Sequence, residues 1–543
     1  MIQYVHCVLV LIVSLCCAAN ADAAKSLDMP KSDIAMISPR TPCEDAILKS
    51  YIDGGQVNAT CDVNNNPRVS NLFLTSMLYM QQNSASKNTF FIVKGANVTG
   101  ELALYGNLSN LDLMFQDCNF EEAITIVNLD INNLWFIGSN IKSLKANLLK
   151  VNGNVALCNN SNIRKHIELN KTIIKGNLAC EKSVFGETDG NSISAPELKL
   201  DGNLILREAQ LAGRIYISYS QINGGIAAQN MRGKALEADF LRTTNVDLSR
   251  VIMKGSVTFR KAQIDGNVSL VGAEVNNQKG ETIDLDSANI NGNLLMGVFS
   301  HSKTSIPFKS YGEARLSDST INGNLIASGS IFHNGAGNAI TAERIRIKRA
   351  LFLSKGFNAI GVIDLFGCQV EGPVEFDGAY LKSSRSNGAT LILSNCDIAG
   401  QMSFSNWINK NKEHNFTSIG EVRLLDANIK GLLVSNGGQF LNPDGCSLNA
   451  ERSIVKAGIF FRNGFKSSGK LDLDGARIDG PVDFSGASLE MGKSDDVSLN
   501  ASNTVINGYL SFSNWVREKG STPFLSVGKV RLLDAEINGL LLS

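Results

Sequence analysis

Two columns of charged residues recur through this chain at one fixed interval. One column is arginine, and the other, three residues further along, is aspartate: Arg315, Arg423, Arg531 and Asp318, Asp426, Asp534. Stacked ladders of this kind can bind an extended acidic or sugar polymer. They can also tie neighbouring structural units together through salt bridges that contribute up to about 1 kcal/mol each. The structural interpretation is favoured, and ligand binding is kept as a hypothesis.

Aromatic residues occupy a third recurring position. Trp407 and Trp515 are separated by the same interval, and Phe299 takes the corresponding place in an earlier copy. Each aromatic residue opens a loop that carries basic residues: 300–311, 408–419 and 516–527. Aromatic faces beside bases would suit a polysaccharide, because rings stack on the apolar faces of sugars. An aromatic residue that anchors a loop against the protein produces the same pattern, and the sequence favours that second interpretation.

Carboxylates supply the alternative of a carbohydrate-active enzyme. Glycoside hydrolysis needs two carboxyl groups at a set separation, one as acid and one as base or nucleophile. The candidates are Asp364, Asp377, Asp472, Asp474, Asp479 and Asp483, and the segment Arg346-Ile347-Lys348 is similar to a motif of polygalacturonases. A catalytic site should occur once, whereas most of these acids follow the repeat. No catalytic residue is therefore assigned.

Cofactor and metal motifs are missing from the sequence. It has no GxGxxG on a strand-to-helix turn, no paired-cysteine redox motif and no Cys/His cluster. We therefore expect neither a cofactor nor a metal.

The cysteines fall into two kinds. Cys43 and Cys61 bracket a segment outside the repeats, and in an exported chain they could close a disulfide worth about 3 kcal/mol. Cys368 and Cys396 lie in a small-residue column of the repeat. We expect them to be buried as small apolar side chains.

A repeating scaffold must position all these residues. Residues 361–434 and 469–542 are two copies of one sequence, and Gly292 and Gly323 mark a third, more diverged copy. Within each copy apolar and polar residues alternate, as in a strand with one buried face. Glycine stands where the backbone turns a corner that a Cβ would obstruct. Leucine-rich repeats are the rival solenoid, but their L-x-x-L-x-L frame is absent.

Glycine spacing sets the number of coils. From Gly431 to Gly539 the spacings are 38, 11, 28 and 31, which indicates about four coils in each long copy if the short step lies within one coil. Parallel strands linked by crossovers take a right-handed path. The sequence therefore predicts an all-β fold, a right-handed parallel β-helix with a short N-terminal helical cap.

The N-terminal part divides into two predicted regions. Residues 1–23 are predicted to be a cleaved export signal, because the apolar run 8–18 is too short to span a bilayer and precedes small-x-small cleavage sequences. Residues 24–89 are predicted to cap the solenoid with a helix near 67–82, in which Asn66 is the N-cap and Pro67 the first residue.

The solenoid itself is predicted over 90–543. Its super-repeats cover about 253–360, 361–468 and 469–543, the last of them incomplete. The chain stops directly after Leu540-Leu541-Leu542, so we expect either a truncated reading frame or a last coil that associates end to end with another molecule. Lys plus Arg and Asp plus Glu number 51 each, which leaves no net field to attract nucleic acid or an anionic membrane.

One segment carries a resemblance to a known group. The run 350–365, ALFLSKGFNAIGVIDL, resembles the repeat line VFLRxGFxAxGEVRLLGAxIGGxLxxxGA of bacterial proteins of unknown function, which automated labelling often describes as membrane-associated oxidoreductases. The resemblance covers about 190–543 and implies a solenoid but no established chemistry. Asp426 and Asp534 stand where that line has glycine. Without redox motifs, the oxidoreductase label receives no support from these residues.

Two classes of function follow. The first is an exported, periplasmic or extracellular, non-enzymatic scaffold whose lateral surface binds an envelope polymer or protein partner. The second is a carbohydrate-active β-helix enzyme, a glycosidase or polysaccharide lyase. We expect no nucleic acid partner and no transmembrane span after signal cleavage.

Overall fold

The polypeptide winds into a parallel β-solenoid of about 17 turns, as predicted. The computed structural model describes residues 39–543 except 63, 65–66, 85–88, 187–189, 384–387, 411, 492–494 and 518–519. The predicted export signal lies outside these described residues. Neighbouring coils pair strand to strand in parallel, residue opposite equivalent residue, along the whole rod.

Each coil has four short sides, and each side points two alternate residues inward. In one coil these are Ile363 and Leu365 on side 1, Cys368 and Val370 on side 2, Val374 and Phe376 on side 3, and Ala379 and Leu381 on side 4, all of them buried. Alternation along a strand makes this possible, because successive side chains point to opposite faces. Stacking the coils joins the inward pairs into one continuous apolar core.

Four coils fill each long copy. The side 2 strands that begin at Gln369, Asp397, Asn428, Ile454 and Arg477 pair in that order. Equivalent positions of successive coils are therefore separated by 28, 31, 26 and 23 residues. The strands of this copy are Asn358–Asp364, Gln369–Val370, Val374–Glu375, Tyr380–Lys382, Ala389–Ile392, Asp397–Ile398, Met402–Ser403, Trp407–Asn409, Lys412–His414, Thr417–Ile419, Glu421–Arg423, Asn428–Ile429, Leu432–Asn436, Gln439–Asn449, Ile454–Val455, Gly458–Arg462 and Lys466–Asp472.

A glycine corner joins side 2 to side 3. An ideal Cβ on Gly323 would lie 2.5 Å from the carbonyl oxygen of Gly292 in the preceding coil, so the corners stack too closely for any side chain. The asparagine after each such glycine forms a ladder in the N-terminal coils. For example, the Oδ1 atom of Asn267 accepts the backbone N–H of Asn293 at 2.7 Å. The corner thus satisfies its backbone without strand pairing.

Two helices cover the first coil. α1 is Pro42–Gly54 and α2 is Asn71–Ser84, and neither has the length that a membrane crossing requires. α1 was not predicted, although Thr41 caps its N-terminus: the N–H of Glu44 donates to the Thr41 hydroxyl, and the Glu44 carboxylate accepts from Arg40 N–H. The carboxylate also accepts from Ser70 N–H, which links α1 to the start of α2.

The predicted helix near 67–82 exists, but its predicted start is wrong. Arg68–Ser70 is a strand that pairs in parallel with Asn97–Thr99, and the hydroxyl of Ser70 accepts the N–H of Phe73 as the helix begins. Residues 68–70, which the proline at position 67 predicted to be helical, therefore form a strand that pairs with the next coil. Asn66, the predicted N-cap, lies outside the described residues.

Disulfides occur at both kinds of cysteine. Cys43 and Cys61 are joined and tie α1 to the strand Val57–Thr60. Cys368 and Cys396 are buried in the small-residue column, as expected, and the structure also joins them across two neighbouring coils. The prediction of burial was therefore confirmed for this second pair, but the disulfide between the two cysteines was not predicted.

Candidate functional site

The turns between side 1 and side 2 align into one edge of the rod, the turn ridge. Its members have a left-handed backbone: Leu148, Lys171, Glu197, Tyr219, Phe240, Lys261, Ser287, Asp318, Arg344, Gly367, Asn395, Asp426, Arg452, Gly475, Asn503 and Asp534. Their side chains stack from coil to coil. The rings of Tyr219 and Phe240, for example, lie 4.8 Å apart and nearly parallel. The ridge therefore presents a single row of side chains along the solenoid.

The aspartates of the ridge pair with arginines of the following coil. Asp318 accepts two hydrogen bonds from the Arg344 guanidinium at 2.8 Å each, and Asp426 does the same with Arg452. These hydrogen bonds hold the pKa of both carboxyl groups below the usual range. The repeated aspartates thus tie coils together, which favours the structural interpretation of this column.

The arginine column has different partners. Arg315 donates to Asp286 in the preceding coil at 2.8 and 3.0 Å, whereas Arg423 donates to Glu421 on its own strand at 2.8 Å. Arg531 and Asp534 occupy the same columns in the last coil and are exposed. The two columns therefore lie on one edge, but they do not pair with each other.

Three β-hairpins project from the opposite turns, between side 3 and side 4, within the described residues. Their strands are Phe299–His301 with Thr304–Ile306, Trp407–Asn409 with Lys412–His414, and Trp515–Arg517 with Gly520–Thr522. We call this edge the hairpin row. The sequence predicted equivalent loops here but not their hairpin form. Four coils separate neighbouring hairpins, which corresponds to about 19 Å at the usual distance between paired strands.

Each hairpin folds back over a glycine of the preceding coil. An ideal Cβ on Gly272, Gly378 or Gly486 would lie 2.6 to 2.7 Å from the Cβ of Phe299, Trp407 or Trp515, respectively. The Phe299 ring then packs under Arg250, and the Trp515 ring under Arg462, with the guanidinium 4.2 and 4.9 Å from the ring centre. The Trp407 ring lies 5.2 Å from His414. The tryptophans act as hairpin anchors, and ligand binding by them stays a prediction.

The residue after each anchor is exposed. Ile408 is 69 % exposed and Val516 is 76 % exposed, while Ser300 holds the same place in the first hairpin. The same point of two copies therefore exposes a branched apolar side chain to water. This feature was not recognised from the sequence.

A groove of about 460 Å³ crosses the turn ridge between its two aspartate–arginine pairs. It is lined by Glu343, Asp364, Phe366, Ile392, Ser394, Asn395, Arg423, Leu425, Asp426 and Arg452. The ridge is low here because Gly367 and Asn395 replace the longer side chains. Arg423 and Asp426 from the sequence prediction both reach this groove, whereas Trp407 lies on the other edge.

The acids proposed for an enzyme serve mainly as structural groups. Asp377 accepts from the Ser403 hydroxyl and the Ser405 N–H, at 2.5 and 2.7 Å. Asp479 binds Lys456 at 2.8 Å, and Lys348 binds Glu371 at 2.5 Å in the neighbouring coil. Among the described residues, no cluster of three or more His, Cys, Asp or Glu could hold a metal ion.

We expect Asp284→Asn to stabilise the protein above pH 6 and to have little effect near pH 4. Burial raises the pKa of Asp284 to about 6, although it accepts the Asp286 N–H at 3.0 Å. The folded protein therefore holds a proton that the unfolded chain releases near pH 4, and stability from this group falls as the pH rises through that window. Asparagine keeps the acceptor without the charge.

Urea unfolding at the two pH values measures the effect. When the pH is raised from 4 to 7, the urea concentration at the unfolding midpoint should decrease more for the wild type than for the variant. An equal difference at both pH values would contradict the titration account.

The described structure defines the class of the protein as a parallel β-solenoid with lateral hairpins. Comparison with protein-family models, curated proteins and solved structures found no match to the chain. The resemblance to bacterial repeat proteins therefore stays a prediction, and the function must be argued from the surface itself.

Proposed function

We propose that this chain is an exported, non-enzymatic binding rod that holds an envelope polymer or an envelope protein along its hairpin row. The observation that carries the proposal is the recurrence of one projecting hairpin every four coils. Coils without a hairpin turn the same corner in two residues, such as Asp377 and Gly378. The hairpins are therefore not needed to close the coil. Ordering their residues costs conformational entropy, which a binding function would justify.

An extended partner would use all three hairpins. Contact points about 19 Å apart on one rigid rod act together, so that weak contacts sum to useful avidity. Ile408 and Val516 provide apolar contact, Lys410 and Lys412 provide charge in the hairpin of Ile408, and Lys303 provides charge in the first hairpin. Export is supported by the two disulfides, because such bonds persist in oxidising compartments.

The test is binding of residues 24–543 to immobilised envelope polysaccharides and to an envelope-protein fraction. Ile408→Ser combined with Val516→Ser copies the serine of the first hairpin and should weaken binding by about tenfold or more. Because both side chains are exposed, circular dichroism should not change. Leu148→Ser, which removes an exposed apolar side chain from the turn ridge on the opposite edge, is the matched control and should bind as the wild type does.

Two outcomes would contradict the proposal. Binding that is unchanged in the double variant would remove the hairpin row from the interface. Sustained release of sugar product from any polysaccharide would replace the non-enzymatic rod with the carbohydrate-active alternative.

A further inference from the structure

The groove on the turn ridge is a place where the repeat is broken. Phe366 has Asp474 as its counterpart in the following copy, and Ile392 has Asn500. Most neighbouring positions are kept, including Glu343 as Glu451 and Arg423 as Arg531. The scaffold is therefore repeated, while the apolar residues Phe366 and Ile392 occur in this copy alone among these three super-repeats.

In the following copy, polar side chains close the equivalent space. Asp474 accepts a hydrogen bond from the Asn503 amide at 3.0 Å, and Asn500 donates to Asp472 at 2.9 Å. Both substituted residues therefore have hydrogen-bond partners within the protein. Of the three floor residues only Leu425 keeps an apolar counterpart there, Leu533, and the other two positions belong to a hydrogen-bonded polar network.

In the preceding copy, an arginine replaces the aromatic residue of the groove floor. Arg260 stands at the turn position of Phe366, and Asp284 stands at the position of Ile392. Arg260 donates to Asp239 at 2.6 and 2.9 Å and lies 3.7 Å from Asp284. In both neighbouring copies, charged or amide side chains therefore take the places that Phe366 and Ile392 hold in the middle copy.

The open groove combines an apolar floor with a hydrogen-bonding rim. Phe366 is 41 % exposed, and Ile392 and Leu425 lie beside it half-buried. Ser394, Asn395 and the charged side chains of Arg423 and Arg452 line the rim. An apolar floor with convergent polar groups can seat a small molecule, and 460 Å³ is within the usual volume range of such sites.

The charges of the rim are already compensated. Arg452 is held by Asp426 at 2.8 Å, Arg423 by Glu421 at 2.8 Å, and Glu343 by Arg344 at 3.1 Å. Asp364, the remaining carboxyl group, accepts a hydrogen bond from the N–H of Phe366 at 3.0 Å. The rim therefore offers many hydrogen-bond donors and acceptors but little net charge. A ligand with hydroxyl groups and no formal charge fits this rim better than an anion or a cation.

We propose that this groove binds neutral hexose rings of an oligosaccharide, with the apolar face of one ring on Phe366. A hexose has a CH face that stacks on an aromatic ring and hydroxyl groups around its edge, which matches the floor and the rim. The site does not rest on the function proposed for the hairpin row, because it lies on the opposite edge of the coil and shares no residue with it.

Titration calorimetry of residues 24–543 with neutral tetrasaccharides of glucose, in α-1,4, β-1,4 and β-1,3 linkage, tests the proposal. We expect saturable binding of at least one of them, with one site per chain. Phe366→Asp should weaken it by about tenfold or more, whereas Phe366→Tyr should retain it. Aspartate is the native residue at the equivalent turn position 474, so this variant should fold.

The control is Ile408→Ser with Val516→Ser, which should bind the tetrasaccharides as the wild type does. Binding lost in this control would assign the sugar to the hairpin row. Three results would overturn the groove: no saturable binding up to about 10 mM, equal binding by Phe366→Asp, or tighter binding of an acidic tetrasaccharide that weakens with salt.

Discussion

Replacing Gly400 by alanine should lower the free energy of unfolding by about 3 kcal/mol, because the added methyl group has no space between two coils. An ideal Cβ on Gly400 would lie 2.5 Å from both the carbonyl oxygen of Gly372 and the backbone nitrogen of Pro373. Backbone atoms in a stacked corner cannot swing aside as a side chain would. The coil pair must therefore separate locally or lose its pairing at this corner.

Gly297→Ala is the matched control. Its backbone does not need glycine, and the added Cβ would meet only the carbonyl oxygen of Ser328, at 3.6 Å. Alanine restricts the unfolded chain, so this change should be neutral or stabilising by up to about 1 kcal/mol. Urea midpoints from far-UV circular dichroism compare the two variants. Equal midpoints would show that close approach of the corners is not what keeps glycine at position 400.

The coil architecture was predictable because geometry leaves a trace in the sequence. Tight corners require glycine, and two inward residues per side require alternation, so both appear as fixed spacings. The reason for the glycines was also predictable. Gly323 and Gly400 have no left-handed backbone, and it is the carbonyl group of the coil beneath that excludes a side chain.

Helix boundaries were less predictable, for two different reasons. Pro67 carries a helix-start signal, but residues 68–70 gain more by pairing with Asn97–Thr99 than a first helical turn would provide. The helix Pro42–Gly54 was missed although Thr41, a typical N-cap residue, is followed three residues later by Glu44. In the first case the boundary depends on pairing with a strand distant in sequence, and in the second it was recognisable from the local sequence.

The ion-pair partners of the repeated charged residues could not be found by adding a fixed number of residues along the sequence. Asp318 binds Arg344, which is 26 residues further along. In the next copy, the coil-to-coil separation varies between 23 and 31 residues. A fixed period therefore points to the wrong partner in most coils. The groove at Phe366 left a usable signal, since a residue that breaks an otherwise kept repeat marks it. Its open volume depends on how the coils stack.

Replacing Gly378 by alanine should release the hairpin that begins at Trp407. Gly378 has a φ of 66°, and an ideal Cβ there would lie 2.7 Å from the Trp407 Cβ and 3.2 Å from the carbonyl oxygen of His414. The hairpin can move away because the rest of it is exposed, whereas the coil beneath cannot. We expect trypsin to cleave after Lys410 and Lys412 about tenfold faster, since cleavage follows the population of the open form.

Gly367→Ala separates this effect from backbone strain. Gly367 has a φ of 68° in the equivalent turn of the other edge, but its Cβ would meet only the Arg344 Cγ atom, at 3.4 Å. In both variants an alanine is forced into the left-handed backbone conformation, which costs about 1 to 2 kcal/mol. Only Gly378→Ala also displaces a hairpin. Mass spectrometry of the tryptic products locates the cleavage. If both variants are cut equally at Lys410 and Lys412, the packing of Trp407 over Gly378 does not hold the hairpin. If only Gly378→Ala is cut faster and it also loses polymer binding, the ordered hairpin is what the partner recognises.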